Sequence, residues 1–153
     1  MFSTSRPQQG MLESIFPKSS NLTLKLYSAQ GWQAGAKLAM EQSMLGKWFA
    51  DYDWIIRVNP DVLILDDNWL LHTMLDDGAD GIFVDCLDRC RQPFCAVGYI
   101  CTDFFAFRPS TVASDAFYKY RRVGRGDAED TASRVFAEGI IAKGRDRWMH
   151  AAM

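Results

Sequence analysis

The sequence has no apolar run of about eighteen residues, so no transmembrane helix is predicted. Residues 1–20 also lack the continuous apolar core that a signal peptide needs. Neither sign of charge dominates, since the formal net charge is -2 and the isoelectric point is about 5.6. A nucleic-acid partner is therefore not expected. The compartment is left open, and a secretory location stays an alternative if the N-terminus is truncated.

The close C-x2-C cysteine pairs that are typical of zinc sites are also missing. The four cysteines are Cys86, Cys90, Cys95 and Cys101. Their irregular spacing within one short segment favours free thiols over zinc ligands. One or two disulfides in a secretory compartment stay an alternative, because Asn21–Thr23 forms an N-glycosylation sequon.

The composition is that of an ordinary folded domain. Hydrophobic residues make up 48% of the chain and charged residues 24%, which argues against disorder. Residues 1–21 are predicted to be a poorly ordered lead-in to one domain at 22–153. Within that domain strands are predicted at 22–29, 53–65, 81–86 and 98–108, and helices at 31–52, 66–78, 111–122 and 129–144.

This alternation, with several strands apolar on both faces, predicts an α/β fold with a mostly parallel sheet flanked by helices. Asp66 or Asp67 is predicted to cap the second helix and Gly78 to end it. The first helix is predicted to bury Ala34, Leu38, Leu45, Trp48, Phe49 and Tyr52. The last is predicted to bury Ala132, Val135, Phe136 and Ile140.

The segment DWIIRVNPDVLIL, at 53–65, is an apolar strand interrupted by Asn59-Pro60-Asp61. Side chains at i and i+2 of an extended segment point the same way. Asn59 and Asp61 can therefore present oxygen atoms to one hard divalent cation. A strand at 62–65 is expected to anchor this loop, and ligands bind at the carboxyl ends of strands in such sheets. The alternative is a simple turn between two short strands.

The stretch from 31 to 65 resembles the helix and strand that lead into the D-x-D motif of GT-A fold glycosyltransferases. Asn59-Pro60-Asp61 stands in that motif's place. The resemblance implies a nucleotide-sugar donor, such as a UDP-sugar, and a Mn²⁺ or Mg²⁺ ion that Asp61 and Asn59 bind. Asn59 departs from the family's first aspartate, and a neutral ligand is expected to weaken metal binding.

Two later stretches resemble the same family in the same order. YICTDFFAFRPS, at 99–110, is similar to the strand that lines the donor sugar, which implies that Asp103 meets a sugar hydroxyl or Arg108. Ala128-Glu129-Asp130 resembles the x-E-D segment of inverting members, which implies Asp130 as the catalytic base with Glu129 beside it. The structural alternatives are a strand-end Asp103 bonded to backbone and a helix cap formed by Asp127 and Asp130.

The resemblance also implies further ligands. His150 stands where many of these enzymes place a metal-binding histidine. The candidate substrate-binding residues are Asn59, Asp103, Thr102, Arg57 and Lys37. The family's first strand, which binds the nucleobase, has no counterpart before residue 22, so the chain is expected to lack it, as a fragment would.

Three functions stay open. The first is a glycosyltransferase that acts on a glycan or another hydroxyl acceptor, with metal assistance and a carboxylate base. The second is a sugar-phosphate nucleotidyltransferase, although its Gly-rich basic phosphate loop is not visible near the N-terminus. The third is a non-catalytic GT-A-like module that binds sugar or a protein partner, in keeping with Asn59.

Overall fold

The computed structural model describes residues 32–59, 61–76, 78–85, 100–121 and 127–149. The helices are α1 (Trp32–Leu45), α2 (Asn68–Leu75), α3 (Ala116–Tyr120) and α4 (Ala128–Gly139). The strands are β1 (Ile55–Val58), β2 (Gly81–Asp85), β3 (Ile100–Phe107) and β4 (Asp146–Met149). Short 3-10 helices at Pro109–Thr111 and Ile141–Lys143 follow β3 and α4.

The four described strands form one mixed sheet in the order β1-β3-β2-β4. Strand β3 pairs antiparallel with both β1 and β2, whereas β2 and β4 pair in parallel. It follows that β1, β2 and β4 run in one direction and β3 runs against them. The α/β class is confirmed. The mostly parallel sheet is not, because two of the three described pairings are antiparallel.

The larger core lies where α1, α3 and α4 pack on one face of the sheet. Phe136 of α4 is fully buried at its centre. Four other rings lie with centroids between 4.9 and 5.8 Å from its own, those of Phe83, Phe105, Phe107 and Phe117. All four residues of the stripe predicted for the last helix are buried, which confirms that prediction: Ala132, Val135, Phe136 and Ile140.

A smaller core on the other face forms where α2 covers the sheet through Leu70. Leu70 packs there with Ile82, Phe104 and Ala106. The strand predicted at 62–65 is wrong, because β1 ends at Val58 and residues 62–65 belong to no strand. Apolar composition alone does not make a strand, since a strand also needs a neighbour to accept its backbone hydrogen bonds.

The first helix is shorter than predicted and buries a different face. It ends at Leu45 because Lys47 adopts a left-handed conformation, with φ of 53°, that a helix cannot continue. The buried apolar side chains are Ala36, Met40 and Met44, which are spaced by four residues on one helical face. The predicted stripe is wrong at four exposed residues, Ala34, Leu45, Trp48 and Tyr52.

The predictions for the other helices and strands are confirmed only in part. Asp66 accepts a hydrogen bond from the Asn68 amide (2.9 Å) at the start of α2, close to the predicted cap, but that helix ends at Leu75 and not at Gly78. Strand β4 was not predicted, because DRWM carries no alternating pattern. None of the described helices is both long and apolar enough to span a bilayer. The predicted lead-in at 1–21, the strand at 22–29, and Cys86, Cys90 and Cys95 lie outside the described residues.

We expect Phe136→Ala to lower the free energy of unfolding by roughly 3–5 kcal/mol, because it leaves a cavity among four rings. Urea denaturation followed by circular dichroism measures this loss. The matched control is Leu75→Ala, at a side chain of α2 that is 82% exposed, and it should change the stability little. A loss below about 1 kcal/mol for Phe136→Ala would contradict the assignment of Phe136 to the centre of the core.

Candidate functional site

The polar residues singled out above converge on one edge of the sheet. Val58, at the end of β1, lies opposite Phe104, and Asp85, at the end of β2, lies opposite Ile100. Strand β4 ends at this edge too, because Met149 pairs with Val84. We call this the site edge: the carboxyl ends of β1, β2 and β4 and the first residues of β3. In open α/β sheets this is where ligands bind.

Helix α4 begins beside the site edge. Its Ser133 hydroxyl oxygen accepts a hydrogen bond from the Ile100 amide at 3.0 Å. Its first turn carries Glu129, which contacts β3 through Thr102 (2.9 Å between Oε1 and Oγ1). The amino end of α4 therefore faces the strand ends, and the helix dipole adds positive potential there.

Asn59 links β1 to β3 at this edge. Its amide nitrogen Nδ2 donates to Asp103 Oδ1 at 2.6 Å, and its backbone N–H donates to the Asp103 carbonyl at 2.8 Å. Its Oδ1 accepts a hydrogen bond from Arg57 Nη2 at 3.0 Å. Both ends of the Asn59 amide thus have protein partners. An asparagine can bridge a carboxylate and a guanidinium in this way because it both donates and accepts.

Asp61 follows in an exposed turn. The Val62 amide donates to the Asn59 carbonyl at 3.1 Å, which is the i to i+3 hydrogen bond that is typical of a β-turn. This is the local geometry that the turn interpretation expected. The Asp61 carboxylate lies at the surface, two residues after Asn59, whose side chain contacts Asp103.

Arg57 is a largely desolvated cation. Its guanidinium lies 5.5 Å from the centroid of the Phe105 ring. Burial lowers the pKa of Arg57, and the nearby carboxylates of Asp103 and Glu129 oppose that shift. An arginine nonetheless stays charged in a protein. The half-buried Arg57 guanidinium therefore lies near two carboxylates, those of Asp103 and Glu129.

Glu129 is a buried carboxylate with one free oxygen. It is 8% exposed, and its Oε1 accepts hydrogen bonds from Thr102 (2.9 Å) and Gln33 Nε2 (3.4 Å). The side-chain oxygen of Gln33 in turn accepts from the Ala128 amide at 2.6 Å. Glu129 Oε2 has no hydrogen-bond partner. Gln33 was missed from the sequence, because no motif distinguishes it from any other polar residue of a helix.

An irregularity in β3 orients Thr102 and Asp103. Phe83 pairs with Phe105, and Asp85, two residues later in β2, pairs with Ile100, five residues earlier in β3. Strand β3 therefore carries extra residues between these two pairs. Such a bulge breaks the alternation of side chains and re-aims them, often beside functional sites. Thr102 accordingly reaches α4, and Asp103 is exposed at the site edge.

The expectation that Asp103 meets Arg108 is wrong. Arg108 follows the other end of β3, where it lies 3.7 Å from the buried carboxylate of Asp80 and over the Trp54 ring. Four residues of the extended strand β3 lie between Asp103 and Arg108, which places the two side chains too far apart for a contact. Among the described residues, the Asp103 carboxylate accepts from Asn59 and contacts the Cys101 thiol at 3.5 Å.

Asp127 and Asp130 have different roles at the start of α4. Asp127 is the N-cap, and its Oδ1 accepts a hydrogen bond from the Asp130 amide at 2.6 Å. The Asp130 carboxylate instead accepts from Arg134 Nε at 3.2 Å. The predicted cap is confirmed for Asp127, with Asp130 contributing its backbone N–H. The side chain of Asp130 therefore does not serve to cap the helix.

Lys37 joins the site through a small cavity of about 10 Å³. That volume is close to the minimum for one water molecule. Residues from α1, the strands and α4 line it, including Lys37, Arg57, Thr102 and Ala128. All five candidate substrate-binding residues therefore lie at or next to the site edge, and Glu129 contacts one of them.

Only two of the three predicted metal ligands lie within the described residues. Asp61 and Asn59 lie at the site edge, whereas His150 lies outside the described residues. Across the ranges that the structure covers, no three or more histidine, cysteine, aspartate or glutamate side chains gather as a metal site would require. The described oxygen atoms are carboxylate and amide oxygens, which suit hard cations such as Mg²⁺ and Mn²⁺.

Comparison with known proteins identifies no relative. No family model, no curated protein and no solved structure matches the chain. The class supported by the fold and the site is therefore an α/β domain with a polar, charged cluster at the carboxyl ends of its strands.

We expect Asp127→Ala to lower the free energy of unfolding by about 1 kcal/mol, because α4 loses its N-cap. Asp127→Asn should have a much smaller effect, since asparagine caps helices equally well. Asp130→Ala should cost less than Asp127→Ala, because an exposed i,i+4 pair is worth about 0.3–0.5 kcal/mol. Urea denaturation of the three variants tests this order. A larger loss for Asp130→Ala than for Asp127→Ala would contradict the two roles.

Proposed function

We propose that this protein is a GT-A-like glycosyltransferase that moves a sugar from a nucleotide-diphosphate donor to a hydroxyl acceptor. The observation that carries the proposal is the convergence of Arg57, Asn59, Thr102, Asp103 and Glu129 at the site edge. They come from three stretches that resemble that family in the same order. Two cores on the sheet faces supply a rigid frame, and a polar cluster of this kind is unnecessary for a core alone.

The direction of the strands supports the same proposal. Three of the four described strands run one way, so their carboxyl ends open on one edge. A nucleotide-binding sheet uses that edge, because the loops and helix amino ends around it present backbone N–H groups and polar side chains. We propose on this ground that the fold is of the GT-A class.

The residues present fit a divalent ion in part. Asp61 and Asp103 would provide charged oxygen ligands, and Asn59 would provide a neutral one through the lone pair that Arg57 leaves unused. Two carboxylates and an amide make a weak site alone, so oxygen atoms of the donor diphosphate would have to complete it. A bound Mn²⁺ or Mg²⁺ would neutralise the charge that develops on the departing diphosphate.

A carboxylate of α4 would supply the base. In an inverting transfer, the acceptor hydroxyl gives its proton to the carboxylate as its oxygen bonds to the anomeric carbon. The bond from that carbon to the donor diphosphate breaks at the same time. The two candidates differ, because Glu129 Oε2 has no partner but is buried, whereas the Asp130 carboxylate is partly exposed and paired with Arg134. General-base help is typically worth about 10²- to 10⁴-fold in rate.

A non-catalytic sugar-binding module is the second candidate. The observation in its favour is the Asn59 amide, which both Arg57 and Asp103 engage without any metal. Such a closed set of contacts holds the site edge in shape without a cation. This candidate requires sugar or nucleotide binding that does not respond to Mn²⁺, and no transfer.

Calorimetric titration of UDP into the full chain, with and without Mn²⁺, separates these functions. A glycosyltransferase should bind UDP more tightly with Mn²⁺ and hydrolyse at least one UDP-sugar slowly in the absence of an acceptor. Turnover of a sugar 1-phosphate with a nucleoside triphosphate would identify a nucleotidyltransferase instead. Metal-independent binding without hydrolysis would favour the non-catalytic module.

We expect Asp61→Ala and Asp103→Asn each to weaken Mn²⁺-dependent UDP binding by about tenfold or more. The reason is that each loses a charged ligand oxygen, and hydrogen bonds or contacts to charged groups are worth about 1.5–3 kcal/mol. The control is Asp51→Ala, an exposed carboxylate before β1. Melting temperatures of all three variants should stay near that of the wild type. Unchanged Mn²⁺ dependence in both site variants would refute the metal site.

Comparing turnover in Asp130→Asn and Glu129→Gln identifies the base. The variant of the true base should transfer about 10²- to 10⁴-fold more slowly while its UDP affinity is retained. Wild-type transfer in both variants would remove the carboxylates of α4 from the mechanism.

A further inference from the structure

A cavity of about 290 Å³ lies at the end of the sheet opposite the site edge. Ser43 and Met44 of α1 line it, together with the turn after α1 and the 3-10 helix that begins at Pro109. That 3-10 helix follows the end of β3 at which Phe107 pairs with Ile55, whereas the site edge lies at the start of β3. The cavity is therefore separate from the candidate site. Pockets for small molecules have volumes of about 300–1,000 Å³, so this one suits a small ligand.

The inner surface of this cavity is apolar. Met44 is buried, and Phe49 and Pro109 are half-buried. The buried Ser43 hydroxyl donates to the Ala39 carbonyl of its own helix at 2.5 Å, so it offers no free donor to a ligand. A phenylalanine ring packs well against another ring, and a methionine side chain adapts to the shape of its neighbour. The inner surface therefore suits an aromatic ring.

The exposed part of the lining provides hydrogen-bond donors and one positive charge. Tyr52, Ser110 and Ser114 contribute hydroxyl groups, and Lys47 contributes an ammonium group. Of the nine described residues that line the cavity, Lys47 alone is charged. In the described part of the chain, no acidic side chain forms an ion pair with it. An anionic group bound here would accept charge-assisted hydrogen bonds from the ammonium group.

The backbone of Lys47 gives independent support. Helix α1 ends in a Schellman motif, in which the Trp48 amide donates to the Ser43 carbonyl (3.0 Å) and the Lys47 amide to the Met44 carbonyl (3.1 Å). Lys47 thus occupies the left-handed position, with φ of 53°, where glycine is usual. The other left-handed residue in the described ranges is a glycine, Gly144. Ending the helix does not require a lysine, and non-glycine residues in this conformation concentrate at ligand sites.

We propose that this cavity binds a small aromatic anion, that is, a ring that carries one carboxylate or phosphate group. The ring packs against Met44 and Phe49, and the anionic group accepts hydrogen bonds from Lys47 and from the hydroxyls of Ser110 and Ser114. A neutral ligand would leave the Lys47 charge without a partner, and a cationic ligand would be repelled by it. The proposal goes beyond the glycosyltransferase function and does not depend on it, because no residue of the site edge lines this cavity.

The test titrates benzoate, phenyl phosphate and benzyl alcohol into the full chain and follows the amide signals by NMR. At least one of the two anions should bind the wild type about tenfold or more tightly than the neutral alcohol, because hydrogen bonds to charged groups are the stronger ones. Lys47→Gln should remove that preference. Lys143→Gln, at an exposed lysine after α4, is the matched control and should keep it. An unchanged preference in Lys47→Gln, or no binding of any of the three probes, would overturn the proposal.

Three further variants locate the binding and separate it from a structural role. Ser110→Trp and Ser114→Trp each fill the cavity from an exposed position and should abolish binding of all three probes. Binding retained in both would place the probes elsewhere and overturn the proposal. Lys47→Gly should lose the anion preference yet melt no lower than the wild type, because glycine adopts a positive φ without strain. A lower melting temperature would show that the Lys47 side chain serves the fold, which would also overturn the proposal.

Discussion

The reversed direction of β3 is the constraint on which the candidate site depends. Because β3 runs against both neighbours, its first residues lie beside the last residues of β1 and β2. Asn59 therefore meets Asp103, and the bulged segment that carries Thr102 lies beneath the start of α4. Had β3 run parallel to β1, its apolar end at Phe107 would occupy that edge, and the polar residues would lie apart.

The charge of Arg57 is stabilised by neighbouring polar groups more than by water, whereas the Asp103 carboxylate is exposed. Burial disfavours the charge of Arg57, and Asn59, Asp103 and Glu129 oppose that penalty. The compensation is incomplete, because Arg57 and Glu129 each keep one buried atom without a partner. The aromatic core around Phe136 supplies stability elsewhere. A fold can sustain such local imbalance only when the rest of it is well packed, and sites that bind ligands are where it is usually found.

The sequence predictions succeeded where a feature is set by neighbouring residues and failed where it is set by contacts between distant segments. Strand β3 and the start of helix α4 were predicted to within two residues, because their apolar patterns lie close to the Pro109 and Asp127 boundaries, whereas α4 ends at Gly139 and not at residue 144. The face of α1 was predicted wrongly, because two apolar stripes compete along it and packing against α3 and α4 selected Met40 and Met44. Strand β4 has no local pattern and exists through its pairing with β2.

The sequence by itself determined the α/β class, the buried stripe of α4, its Asp127 cap, and the set of polar residues worth placing at a site. Each of these follows from propensities, periodicity or a motif within a short stretch. Only the tertiary structure decided that Asn59 contacts Asp103 across 44 residues and that Gln33 reaches Glu129 across 96. Strand order and the bulge in β3 set those contacts, and they arise from backbone hydrogen bonds between distant segments, which local patterns do not specify.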